Sequence, residues 1–220
     1  MPATLLSMSQ NVANEVGYSG KLTATAVATG DAARIVRYVK EATLYVENLW
    51  GDWRFLWGGL VEGVATALSN TIPAPVNLYR WDQERLFFDT GTVCPIMWND
   101  FKMYSAMNDP GYPTQFVIMP DNSIRMFSPP DADYNYMFSW YKQSVPLVND
   151  DDQPLIPDQF RKVIEARALW LYAMYDEAAE LAAKADNEYV LWLAQLEADQ
   201  RPDGMFANQS NGNHVRISAE

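Results

Sequence analysis

Side chains able to carry reaction chemistry are thinly spread along this chain. It has one cysteine, Cys94, and one histidine, His214. A nucleophile–imidazole device would need that histidine, which sits in a polar, Asn-rich tail, and a zinc site needs about four Cys or His ligands. Cys94 lies between Val93 and Pro95 in a strand-like run with no histidine nearby, so it reads as an inert buried thiol. Carboxylates remain, because 28 Asp and Glu always offer pairs. A glycosidase-type site needs two that converge with unequal pKa values. Glu41, Glu47 and Glu62 are the candidates, since neighbouring aromatics could stack on a sugar. Glu41 and Glu47 are six apart, however, and face different sides of a helix. The run Asn149–Asp152 holds three aspartates but lacks the glycine and distal Glu of a calcium loop, so it reads as a solvated loop. Gly58, Gly59 and Gly63 match neither a Walker-type phosphate loop nor a dinucleotide fingerprint. The expectation is a chain with no catalytic, cofactor-binding or metal-binding residues.

Composition narrows the partners. The formal net charge is −12, and the 16 Lys and Arg are scattered without a basic run. Such a surface does not hold nucleic acid, whose phosphates are bound by Lys and Arg. No apolar stretch approaches the roughly 20 residues of a membrane span; the longest, Trp53–Val61 and Ala166–Met174, are interrupted or short. Met1-Pro2-Ala3-Thr4 lacks the basic and apolar segments of a secretory signal. A single cysteine fits synthesis in a reducing cytoplasm. The 8 Trp, 12 Tyr and 9 Phe are a heavier load than the modest length needs. They supply a sizeable core, and they also suit the buried centres of subunit contacts.

The elements follow from spacing and punctuation. Thr4 caps a first helix carrying Leu5, Met8, Val12 and Val16, and Gly17 ends it (4–17). Lys21–Thr29 is a small-residue loop. Asp31 lies in the first turn of a second helix, expected over 31–57, where Ile35, Val39, Ala42, Val46, Leu49 and Trp53 form one apolar seam. Gly58-Gly59 is expected to stop it. Tyr38, Tyr45 and Trp50 lie off the seam and are candidates for subunit contact. Leu60–Asn70 has no decisive period and reads as a weak strand or loop. Pro73 and Pro75 forbid a helix. A hairpin is expected from Arg85–Thr90 and Thr92–Met97 about Asp89-Thr90-Gly91, then a short helix over Trp98–Met107.

The stretch Pro113–Phe160 has the clearest β character. Phe116–Met119 and Ile124–Phe127 flank an Asp121-Asn122 turn. In the next strand Tyr134, Tyr136, Phe138 and Trp140 alternate with Asn135, Met137, Ser139 and Tyr141, which puts four aromatics on one face. Tyr134 and Tyr136 are the candidates there for subunit contact. Pro157-Asp158 opens a helix to about Tyr175, and Glu177–Gln200 forms a second with Leu181, Ala185, Tyr189, Trp192 and Leu196 in register. Pro202 ends it. The fold class is therefore α+β and predominantly helical. N-terminal helices and a C-terminal helical hairpin (158–200) surround a small central antiparallel β region (73–148) in one domain, 1–202. Residues 203–220 form an extended C-terminal arm.

A set of short segments, taken in order, resembles the head-to-tail adaptor proteins of tailed bacteriophages, the tail accessory factors that join a portal. They are Glu15-Val16-Gly17, Gly30-Asp31-Ala32-Ala33-Arg34-Ile35-Val36, Gly51-Asp52-Trp53-Arg54-Phe55-Leu56-Trp57 and Trp98-Asn99-Asp100-Phe101. Pro113-Thr114, Pro120-Asp121-Asn122-Ser123, Pro157-Asp158-Gln159-Phe160 and Ala166-Arg167-Ala168-Leu169 complete the set. The resemblance implies a homo-oligomeric ring, commonly a dodecamer, in the virion neck under the portal and around the DNA channel. Tail nozzle or tube proteins would bind its other face, and DNA would only pass through its lumen. It also implies that the C-terminal arm reaches onto the portal. Met205, Phe206, Asn208, Val215 and Ile217 would be its contacts. Some adaptors of this kind are associated with cell-wall hydrolysis, so a peptidoglycan hydrolase working through a carboxylate pair is the alternative expectation.

Overall fold

The computed structural model, described over residues 3–88, 91–92, 94–95 and 109–201, has Thr4 as the N-cap of its first helix. Residues up to Phe55 and from Ser144 onward form a helical unit, and Leu56–Gln143 form a β unit. In the helical unit, α1 spans Leu5–Glu15. Ser7 N–H donates to Thr4 Oγ1 at 3.2 Å while Thr4 N–H donates to Ser7 Oγ at 2.9 Å. Two more first-turn donors are met from far along the chain, by the carbonyls of Asp152 (from Leu5, 2.9 Å) and Asp150 (from Leu6, 3.1 Å). Leu5, Met8 and Val12 are buried as their spacing predicts, and Gly17, at φ +72°, ends the turn.

α2 spans Gly30–Glu47, so the helix expected to reach residue 57 stops well short. Asn48 ends it: its N–H and its side-chain Nδ2 both donate back to Leu44 O, at 3.0 and 2.7 Å. Ile35, Val39, Ala42 and Val46 of the seam are fully buried. Trp53 is also fully buried, but from a turn beyond the helix, with its indole N–H donating to Val46 O at 3.2 Å. The apolar period ran past the true end because a tryptophan folding back fills the place of another helical turn.

After a 3-10 turn at Asp158–Phe160 come α3 (Lys162–Tyr175) and α4 (Ala179–Gln200), the expected helical hairpin. Its link carries Glu177 at φ +55°. α3 packs on α1, α2 and α4. Ala185, Tyr189 and Leu196 are buried, while Leu181 and Trp192 are half-buried.

The β unit begins where the sequence was ambiguous. β1 spans Trp57–Ala65, so Gly58-Gly59 is not a helix stop; it opens a strand, and the β region starts at 56 rather than 73. β2 (Thr71–Ile72), β3 (Leu78–Phe88), β4 (Gly91–Thr92), β5 (Cys94–Pro95), β6 (Gln115–Ile118), β7 (Ile124–Phe127) and β8 (Tyr134–Lys142) follow. One sheet has the order β1-β8-β3-β4 and is antiparallel throughout; the other has the order β2-β7-β6-β5, antiparallel except for the β5–β6 pair.

The hairpin expected over 85–97 is present but longer on one side and divided on the other. β3 starts at Leu78, and the returning chain pairs with it only at Gly91–Thr92. Cys94–Pro95 instead lies parallel to β6 at an edge, where a proline without an N–H is tolerated. The helix expected at Trp98–Met107 lies outside the described residues.

Trp81, Phe88, Phe116, Ile124, Met126 and Phe138 centre the core of this unit, with Tyr134, Tyr136 and Trp140 packed against it. The four-aromatic face of β8 is therefore its inner face. Gly63 pairs with Tyr136 across the strands, and a Cβ there would meet the phenol at 2.5 Å. Glycine lets the ring lie flat over β1.

Candidate assembly surfaces

The carboxylates singled out from sequence have structural partners. Glu47 is buried at the end of α2. Its Oε2 accepts from Ser144 Oγ and its Oε1 from Leu155 N–H at 2.6 Å, so it clamps the segment following residue 143 to the helix. Burial pushes its pKa above the ordinary glutamate value, against the hydrogen bonds that pull it down. Glu41 is exposed and pairs with Arg37 at 3.5 Å on its own helix; Glu62 is exposed on β1. Nothing in these placements favours a hydrolytic carboxylate pair.

The run Asn149–Asp152 is more than a solvated loop. Asp150 accepts from Thr25 N–H at 2.8 Å and from the Thr25 hydroxyl, which holds its pKa below the usual range. Asp152 accepts from Val148 and Asn149 N–H at 2.6 and 2.7 Å. Both carboxylates brace the turn whose carbonyls meet α1. Among the described residues, no group of three or more His, Cys, Asp and Glu is arranged to hold a metal, and no helix is long and apolar enough to cross a membrane. His214 and the arm residues Met205, Phe206, Asn208, Val215 and Ile217 lie outside the described residues.

The aromatics proposed for subunit contact divide by exposure. Tyr38 is buried among its own helices, only 8% exposed, which removes it from the free surface of the chain. Trp50 is half-buried; its indole N–H donates to Glu197 Oε1 at 2.9 Å and the Arg201 guanidinium lies 4.1 Å from its ring centroid. Tyr134 donates to Asp131 Oδ1 at 2.6 Å, and both Tyr134 and Tyr136 meet Phe88 edge-on at 6.4 and 6.5 Å. Each keeps part of its ring accessible at the rim of the β core. Tyr45, at 46% exposure, is the most open of the five.

Tyr45 belongs to a cluster that spacing within one helix could not reveal. The Arg167 guanidinium on α3 lies 4.4 Å from the Trp170 ring centroid, 4.5 Å from that of Tyr45 on α2 and 5.5 Å from that of Tyr189 on α4. A planar cation stacks favourably on such ring faces. Tyr189 is buried beneath, and desolvation, chiefly, pushes its phenol up to about 12. The only sequence sign was an arginine inside the apolar run Ala166–Trp170.

A second surface lies on the β unit. Met137 alternates with the inward Tyr136 and Phe138, so it faces away from the core, and Phe87 and Glu62 are its cross-strand neighbours. Trp57, Leu60, Val64, Phe87 and Met137 are all between 41% and 51% exposed. Trp57 is held by its indole N–H on Ser139 Oγ at 2.8 Å. A depression of about 530 Å³ is lined by Glu62, Val64, Phe87 and Met137, with Gly63 and Tyr136. Exposed Trp, Tyr, Phe, Met and Arg on ordered elements are the side chains that dock on other proteins.

The model of the SU10 adaptor protein family matches residues 3–214. The chain therefore belongs to the SU10 adaptor protein family, head-to-tail adaptors of bacteriophage virions. No curated protein matches it in sequence.

Proposed function

We propose that this chain is a ring-forming, non-catalytic connector in the virion neck. It assembles in the host cytoplasm, binds the portal on one side and tail nozzle or tube proteins on the other, and surrounds the DNA channel. The observation that carries this reading is the family match over nearly the whole length of the chain. The aromatic and arginine-bearing surfaces support it, because a subunit that holds several neighbours needs more than one such patch. The net charge of −12 suits a lumen through which DNA passes without sticking, since few Lys or Arg can displace its counterions. Closure into a ring, twelvefold in the form expected, requires head-to-tail contacts between unlike faces of neighbouring copies. In this reading the segment 203–220 reaches the portal, and affinity comes from many copies acting together.

The experiment is to mix the purified chain with portal rings from the same virion and count bound copies by mass photometry. Stepwise filling to a closed ring is expected. A chain that leaves the portal unoccupied at micromolar concentration would overturn the proposal.

A further inference from the structure

Arg167 differs from three arginines of the helical unit that pair along their own helices. Arg34, Arg37 and Arg161 each have a carboxylate within four residues, Asp31, Glu41 and Glu165. Among the described residues Arg167 pairs with no carboxylate, although its guanidinium is fixed by three rings from three helices. Stacking uses the faces of a guanidinium and leaves its N–H donors in the ring plane unused. Ordering a long side chain is the main entropic cost of an ion pair, and here the fold has already met it. Tyr189 is buried, while Tyr45 is open and Trp170 and Arg167 are half-buried, so the donors are reachable from one side only.

We propose that Arg167, in its Tyr45–Trp170–Tyr189 cradle, receives a carboxylate side chain from a second copy of this chain. Charge complementarity identifies the occupant: the chain carries 28 acidic against 16 basic residues, so each copy brings surplus carboxylates to its neighbour. Contact between two such acidic copies is opposed by their net charge, and a fixed, unpaired cation at the seam offsets that repulsion locally. The inference rests on the ring reading above and adds which residue joins the copies.

The test is a titration of the full chain onto portal rings, counting copies per ring, with wild type, Arg167→Met and Arg167→Lys. Methionine keeps an unbranched, polarisable stem among the rings but removes every donor. Arg167→Met should bind its first copy to a ring as wild type does. It should then add neighbours with roughly ten- to a hundredfold weaker affinity, the effect of losing a charge-assisted hydrogen bond. Arg167→Lys should fall between, and raising salt should narrow the gap in copy–copy addition between wild type and Arg167→Met, because it screens the attraction that only wild type has. Cooperative filling by Arg167→Met equal to wild type would overturn the proposal. Loss of first-copy binding would also overturn it, by placing Arg167 on the portal. If wild type itself fails to load the portal, the ring reading falls and this inference with it, an outcome distinct from the other two.

Discussion

At the residue scale, Glu47 and Asp150 make opposite contributions to stability. Burial raises the Glu47 pKa, so the folded chain holds that proton more tightly than the unfolded one. Its contribution is fully present below the ordinary glutamate value and is lost as pH rises through the raised one. Asp150 is depressed, first by the Thr25 hydroxyl, so its contribution is present above the ordinary aspartate value and is lost as pH falls through the lowered one. Glu47→Gln keeps an acceptor for Leu155 and removes the buried charge. In urea denaturation its midpoint should gain on wild type as pH rises above the ordinary glutamate value and through the raised one, where the wild-type carboxylate ionises. A constant offset across that range would show that the charge is not what the fold resists.

At the element scale, Thr4→Ala removes the side-chain acceptor for Ser7 and should cost about 1 kcal/mol. Phe138→Ala, at the centre of the β core, should cost about 3–5 kcal/mol, read from denaturation of the β unit. These two sites were legible in the sequence for the same reason: the signal is local. A threonine before a period of three and four fixes a helix start, and strict alternation of Tyr134, Tyr136, Phe138 and Trp140 fixes a strand face. β1 was only weakly legible because Gly58 and Gly63, which normally weaken a strand, are covered by Trp140 and Tyr136 of β8, which lie far away in sequence. The end of α2 was misplaced because Trp53 continues an apolar period it does not belong to. The Arg167 cluster draws on three helices, so no window of sequence contains it.

At the scale of the whole molecule, adaptor membership was legible from an ordered series of short segments, and the family match bears it out. The arm reading makes a separate prediction. A chain ending at Arg201 keeps every described helix and strand, so it should still fold and melt cooperatively. It should nonetheless fail to attach to portal rings. Full retention of portal binding after that cut would contradict the arm's role. Arg201 itself stays useful in the shortened chain, since its guanidinium still covers Trp50.

The antiparallel pairing of Trp57 with Tyr141 places the two ends of the β unit on adjacent strands. Cα atoms so paired lie about 5 Å apart, which a turn of a few residues spans. Excising 56–143 and rejoining Phe55 and Ser144 by a short glycine-rich graft should therefore leave a helical unit that still melts cooperatively, followed by far-UV circular dichroism. Glu47 would still find Ser144 and Leu155 on the far side of the splice.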